Sequence, residues 1–270
     1  MKKSDIKACV MRIEGTNCEE ETKRAFQKLG VNAEIVHLKQ LTKGVSKERR
    51  RNLFKYHILI FPGGFSAGDY VTSGAIWSAR VKGNIYNDLK KFVKEGRPVG
   101  GICNGFQVLM NLGFLDVEAA LTVNESALFE CRPACIKKLN ECAFTEHIEK
   151  DTVLSLPVAH AEGRFVFAPG EEHKGLKELE KNDQITFKYT KADGEPANGV
   201  HPWNPNGSFA DIAGICNLER NVFGMMPHPE RALENFEQHD WTRKQNIDPE
   251  GNGEGIPIFK SVIEYVMKRF

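Results

Sequence analysis

The sharpest chemical signal is Gly100-Gly101-Ile102-Cys103-Asn104-Gly105-Phe106-Gln107, which follows an apolar run and opens a helical one. Gly-x-Cys-x-Gly in that setting is the thiol counterpart of the Gly-x-Ser-x-Gly nucleophile elbow. The demand is steric. A sharp strand-to-helix turn needs missing side chains on both flanks, which Gly101 and Gly105 supply. Cys103 then sits at a helix N-terminus, where free N–H groups and the helix dipole favour thiolate over thiol. The plainer reading is a buried structural cysteine in a glycine-rich turn.

A thiolate nucleophile needs a general base, and the base needs a carboxylate to orient it. Three His-x-Glu triplets offer both: His147-Ile148-Glu149, His160-Ala161-Glu162 and His228-Pro229-Glu230. In extended backbone, residues two apart face the same way, so each triplet can set a carboxylate beside its imidazole. Pro227 and Pro229 make the third the stiffest, and it follows directly on the strand-like run Val222 to Met226. His147 lies in a polar stretch that reads as a solvated face. Spacing favours His228 without deciding among the three. Gly63-Gly64, at the end of another apolar run, suits an oxyanion hole, because backbone N–H groups approach a substrate carbonyl closely only where side chains are absent. Cys131, Cys135, Cys142 and His147 resemble scattered zinc ligands but contain no Cys-x-x-Cys pair. Pro62 to Asp69 lacks the Gly-Lys-Ser/Thr ending of a phosphate loop, which leaves Asp69 and Tyr70 to be explained otherwise.

These residues need a frame that brings them to one place. Strand signals at Ile6–Ile13, Ala33–Leu38, Ile58–Phe61 and Val99–Ile102 alternate with helix signals. The helices are expected from Glu19 to Leu29, over the very basic stretch Ser46–Phe54, from Asn84 to Lys94, and from Asn104 to Leu112. Such alternation argues for an α/β fold, an open and mostly parallel sheet flanked by helices. Right-handed crossovers put Gly63 and Cys103 on the same edge of that sheet, where such folds hold their sites. Beyond Leu128 the chain turns β-rich, with strand-like runs at Leu128–Ile136, Arg164–Phe167, Ile185–Tyr189, Phe209–Cys216 and Val222–Met226. A loop spans Pro196–Ser208, and a last helix Phe259–Phe270.

The 270 residues carry 37 Lys+Arg against 36 Asp+Glu, a net charge of +1, with 41% hydrophobic residues. That is ordinary globular composition, with no field for gripping nucleic acid or an acidic membrane. The length allows one large domain or two small ones. Without a repeat, low-complexity tract or linker, one domain over 5–270 is expected, its tail after about 238 carrying no motif. No apolar stretch approaches the ~20 residues of a membrane span, and no signal peptide is visible. Seven cysteines scattered from Cys9 to Cys216 form no disulfide framework, so a reducing, cytoplasmic setting is expected and the two Asn-x-Ser sequons are chance.

Taken together the segments resemble the class I glutamine amidotransferases, a flavodoxin-like family whose elbow reads Gly-x-Cys-x-Gly-x-Gln and whose triad runs Cys, His, Glu. Within that family the chain is similar to the glutaminase subunits of phosphoribosylformylglycinamidine synthase. The shared blocks are Phe61-Pro62-Gly63-Gly64-Phe65-Ser66, Gly68-Asp69-Tyr70, Gly74-Ala75-Ile76, Gly101 to Gln107, Pro157-Val158-Ala159-His160, Glu162-Gly163-Arg164-Phe165, Asn204 to Ser208 and Gly224 to Ala232. The resemblance selects Cys103, His228 and Glu230 as the triad. It implies an oxyanion hole from the backbone N–H groups near Gly64 and Asn104, and Gln107 as a residue that helps hold glutamine. It places His160–Phe165 near the face that meets a synthetase, with Ala161 standing where glycine is expected. The implied activity is hydrolysis of L-glutamine, the ammonia passing to an ATP-using synthetase subunit that aminates formylglycinamide ribonucleotide, with a small accessory subunit as a further partner. No cofactor or metal is expected on this chain; ATP and Mg²⁺ belong to the synthetase. The rival readings are a stand-alone cysteine hydrolase and a non-catalytic regulatory subunit on the same fold. Lys39–Asn52 and Gln238–Ile256 carry none of the blocks.

Overall fold

The computed structural model describes residues 1–244 and 246–270. Its first half runs β1 (Lys7–Arg12), α1 (Glu19–Lys28), β2 (Asn32–His37), β3 (Ile58–Phe61), α2 (Ala75–Asn84), α3 (Tyr86–Lys94), β4 (Val99–Ile102) and α4 (Asn104–Leu112). The second half runs β5 (Ala119–Thr122), β6 (Glu130–Lys138), β7 (Val153–His160), β8 (Arg164–Phe167), α5 (Glu172–Lys181), β9 (Ile185–Thr190), β10 (Ile212–Cys216), β11 (Val222–Met225) and α6 (Ile256–Arg269). Nine strands form one sheet in the order β2-β1-β3-β4-β11-β10-β9-β6-β7, and β5 and β8 pair apart from it.

The five strands from β2 to β11 are mutually parallel, which is the expected open α/β frame. From β11 onward every pairing is antiparallel, and that is the β-rich second half. The central strands β3, β4 and β11 are buried along their whole length, as a parallel sheet covered on both faces requires. Burying a side chain such as Phe61 or Phe223 contributes about 1.5–3 kcal/mol.

Register carries the functional consequence. Phe61 of β3 lies beside Gly101 of β4, and Ile102 of β4 beside Met225 of β11. The turns holding Gly63-Gly64, Cys103 and His228 therefore leave adjacent strands at the same edge.

Several elements differ from the sequence reading. Ser46–Phe54 is not a helix; short 3₁₀ turns at Leu38–Leu41 and Leu53–Lys55 flank irregular chain. Lys47, Arg49, Arg50 and Arg51 would repel at helical spacing with no apolar face to offset it, and Arg51 instead binds Glu34 and the carbonyls of residues 48–50. Strand β7 was masked by Pro157, which is tolerated because β7 is the sheet's edge. Its partner Pro133 lies beyond the stretch where β6 pairs with β9. Helices α2 and α5 each contain a glycine; the apolar residues of α2 fall all round it and give no period, whereas α5 offers only Leu176 and Leu179 to the core. The run from Phe209 starts as a 3₁₀ turn rather than a strand. There the Asp211 carboxylate accepts the N–H groups of Asn198 and Gly199 and the Asn204 amide, pinning the proline-rich loop.

Candidate active site

Cys103 stands between β4 and α4 with φ 49° and ψ −107°, a left-handed conformation that costs a residue with a β-carbon about 1–3 kcal/mol. The surrounding glycines are what let the turn close. A β-carbon on Gly101 would come within 2.5 Å of the Gly105 carbonyl oxygen, and one on Gly105 would run into the Phe61 carbonyl. The Cys103 N–H donates to the Met225 carbonyl at 2.8 Å, which ties the elbow to β11. The thiol is buried and points toward the Ala159 carbonyl of β7 at 3.7 Å. These contacts favour a nucleophile elbow over a structural cysteine, because a packing role needs no strained backbone.

His228 is buried to 1% exposure and Glu230 to 0%. Their contact is short, His228 Nδ1 to Glu230 Oε1 at 2.6 Å, and since a carboxylate only accepts, Nδ1 carries the proton. Pro229 starts a 3₁₀ turn over Pro229–Arg231 with His228 as its N-cap. The pair thus meets across a tight turn and not along an extended strand, as the spacing argument assumed. The His228 N–H is fixed by the Pro157 carbonyl at 2.8 Å. Its Nε2 is buried with no hydrogen-bond partner among the described residues. Burial alone would push this histidine down, but the Glu230 carboxylate and the sulfurs of Cys103 and Cys18 outweigh it and hold the ring well above its ordinary value. A charged imidazolium beside a thiolate is the arrangement that suits a cysteine nucleophile.

The other two triplets do not assemble. His160 ends β7, and the chain bends at once, so Glu162 turns away to accept the Ser73 N–H at 3.0 Å. His160 Nδ1 instead meets Asn124 Oδ1 at 3.1 Å. Burial and the nearby His228 push His160 down to about 3, so it is neutral. His147 is held against α6 by Glu264 at 2.8 Å. Among the described residues, Cys131, Cys135, Cys142 and His147 do not come together as a ligand set.

Gly64 has φ 136°, and a β-carbon there would meet the Asn17 N–H at 2.5 Å. The turn is clasped by the loop after β1: Phe65 N–H donates to the Gly15 carbonyl and to Asn17 Oδ1, and Cys18 N–H to the Gly63 carbonyl. Asn104 is the first residue of α4, where its N–H is free of the helix's own bonds. Its side chain donates to Gln107 Oε1 at 2.9 Å and to Asp69 Oδ1 at 3.4 Å. Gln107 in turn donates to the Glu162 carbonyl. Both ends of the Gln107 amide are therefore engaged within the chain, so its visible work is to join α4 to the 161–163 turn. Asp69 gains an explanation as the partner of Asn104. Burial holds its carboxyl above the ordinary range.

Two contributors have no signal in the elbow or triplets. Cys18 lies with its sulfur 4.0 Å from His228 Nδ1 and accepts from Arg231 at 3.1 Å. The loop after a parallel strand is where such sheets gather site residues, and Cys18 follows β1; that rule was the available clue. The tail after 238 also acquires a place. Gly255 N–H donates to the Ala232 carbonyl at 2.8 Å and Gly253 N–H to the Leu233 carbonyl at 2.8 Å, so the 253–255 segment backs the turn that follows His228.

The chain matches the family model of the CobB/CobQ-like glutamine amidotransferase domain over residues 5–266. It is 49% identical to the phosphoribosylformylglycinamidine synthase subunit PurQ of Archaeoglobus fulgidus, over 99% of this chain and 100% of that one. With the subunit of the same name from Methanococcus maripaludis it shares 40% identity over 97% of this chain and 98% of that one. Among solved structures, that of PurLQS from Thermotoga maritima superposes with a TM-score of 0.73 at 30% identity, covering 97% of this chain and 99% of that one. With a strained cysteine elbow beside a buried histidine–glutamate pair and a family match along nearly its whole length, the chain belongs to the glutamine amidotransferase family.

Proposed function

We propose that this chain is the glutaminase subunit of a phosphoribosylformylglycinamidine synthase. The observation that carries the chemistry is the 2.6 Å His228–Glu230 contact, set in the turn that leaves β11, the strand next to the one carrying the strained Cys103 elbow. The names of its full-length relatives support the choice of assembly. In this reading the Cys103 thiolate attacks the side-chain amide carbon of L-glutamine. The tetrahedral oxyanion is met by the N–H groups of Gly64 and Asn104, where such donors are worth several kcal/mol. As the C–N bond breaks, His228 Nε2 hands a proton to the departing ammonia and a thioester to glutamate remains. His228 then takes a proton from water, hydroxide adds to the thioester carbonyl, the C–S bond breaks, and glutamate leaves as the thiol regains its proton. Glu230 keeps the imidazole in the one tautomer that leaves Nε2 working.

The ammonia passes to the synthetase subunit, which holds ATP and Mg²⁺ and converts formylglycinamide ribonucleotide to formylglycinamidine ribonucleotide. This chain needs no cofactor of its own for the glutamine half-reaction. A small accessory subunit completes the assembly, and purine synthesis places it in the cytoplasm. No helix among the described residues is long and apolar enough to cross a membrane. A docking face is at hand: Tyr70 and Val71, 74% and 89% exposed, follow Asp69, while Phe65, next to Gly64, is exposed with its ring 6.1 Å from that of Phe129, and Leu128 adjoining Phe129 is exposed as well. Apolar residues bared around a site that must release ammonia suit a partner that covers it.

Isotope transfer tests the reading. With the synthetase, ATP and amide-¹⁵N-glutamine, product should carry the label even when unlabelled ammonium is present in excess. A stand-alone hydrolase predicts label diluted to the level of the bulk pool, and a non-catalytic subunit predicts none.

A further inference from the structure

We propose that Cys18 is a positioning residue of the triad: its sulfur holds the Arg231 guanidinium off Glu230, so that the carboxylate stays committed to His228. That role has meaning only if Cys103, His228 and Glu230 act as described above. Cys18 is buried at the N-terminus of α1 and wedged against the triad. A β-carbon on Gly63 would stand 2.6 Å from His228 Cε1 and 3.3 Å from Cys18 Sγ, so the three residues pack without a gap. Arg231, half-buried, donates from Nη2 to Cys18 Sγ at 3.1 Å and reaches toward Glu21 of α1 at 3.7 Å.

What makes the arrangement informative is Glu230 Oε2. It is buried with no hydrogen-bond partner among the described residues, although the next residue along the chain is an arginine. A guanidinium and a carboxylate out of water form one of the strongest pairs available to a protein. Such a pair here would draw charge and orientation away from His228. The sulfur accepts the guanidinium instead. Cys18, His228 and Glu230 also have ligand atoms within 4.8 Å of one another, but a cation on Cys18 Sγ is opposed by the guanidinium already bound there. The groups that face His228 are Cys103 from the elbow, Cys18 from the turn before α1, His160 from β7, and Glu230 and Arg231 from its own turn, with Glu21 beyond Arg231.

The test uses the full chain and follows His228 by NMR titration, alongside the rate at which a glutamine-mimicking diazoketone alkylates Cys103, located by peptide mass spectrometry. Cys18→Ala should move the His228 midpoint down by about one pH unit or more, because its carboxylate is drawn to Arg231. Alkylation of Cys103 should slow by about tenfold. Cys18→Ser, whose hydroxyl still accepts from Arg231, should recover most of both. Adding Arg231→Met to Cys18→Ala should restore both, which a cavity left by the missing sulfur would not allow. A Cys18→Ala chain that titrates and reacts like the wild type overturns the assignment. So does a double variant that stays as impaired as the single one. If His228→Asn leaves alkylation of Cys103 untouched, the triad itself has been misread, and that result is distinct from the other two.

Discussion

Two buried histidines, one at the end of β7 and one in the turn after β11, behave in opposite ways, and the largest difference between them is a carboxylate. His228 has Glu230 at 2.6 Å and is held well above its ordinary value. His160 has only an amide partner and falls to about 3. General acid–base catalysis is worth about 10²–10⁴-fold, so His228→Asn should slow thioester formation by that order in a rapid-quench assay. Glu230→Gln should cost at least about tenfold less, since an amide oxygen can still accept from Nδ1 although the charge is gone. His160→Asn should leave acylation of Cys103 within about threefold of wild type, well below a lost base. His160 also has a stability consequence. In the unfolded chain it takes a proton near pH ~6.5, whereas the folded protein refuses one down to about 3. Its neutral form therefore stabilises the fold above pH ~6.5, and this is lost as the pH falls through the window toward 3, by up to ~1.4 kcal/mol per pH unit. Urea unfolding between about pH 6 and 4 should show a shallower decline for His160→Gln than for wild type.

The elbow and the clasp around it are where elements, not single side chains, make the site. Cys103 at φ 49° and ψ −107° stores strain that glycine would relieve. Cys103→Gly should therefore unfold at a higher temperature than Cys103→Ala, by about 1 kcal/mol or more, reversing the usual order of the two residues. Equal stabilities would mean the turn is not strained. Gly105→Ala, whose methyl meets the Phe61 carbonyl, should cost about 1–3 kcal/mol or prevent folding, with Gly83→Ala in α2, where a β-carbon meets nothing within 4 Å, as a milder control. The elbow was legible in the sequence because its two glycines have no substitute. The parallel strands were legible because burial on both faces writes a continuous apolar run. What could not be read was long-range. That Cys18 meets Arg231, that 253–255 backs the turn after His228, and that Gln107 spends its amide on the Glu162 carbonyl depend on register between segments far apart in the chain. The basic stretch at Ser46–Phe54 misled because a nearby charge run has the length of a helix but no face to bury.

At the scale of the whole molecule, the catalytic edge of the sheet is also where apolar side chains are bared. Leu128 is 67% exposed and sits next to Phe129, whose ring meets Phe65 one residue beyond Gly64. Leu128→Glu should weaken assembly with the synthetase by about tenfold or more, on the scale of an apolar contact replaced by a buried charge. Alkylation of Cys103 in the isolated chain should be unchanged, and sedimentation or calorimetric titration reads the first quantity directly. In the proposed division of labour the thiol step uses only this chain, and the amination only the partner. The most direct measurement is the rate of amination by the reconstituted complex carrying Cys103→Ala, taken first with glutamine and then with ammonium. Product formation should vanish with glutamine and persist near the wild-type rate with saturating ammonium. Glutamine-dependent amination that survives the substitution would contradict Cys103 as the nucleophile, and failure of ammonium to support a properly assembled complex would contradict the division of labour.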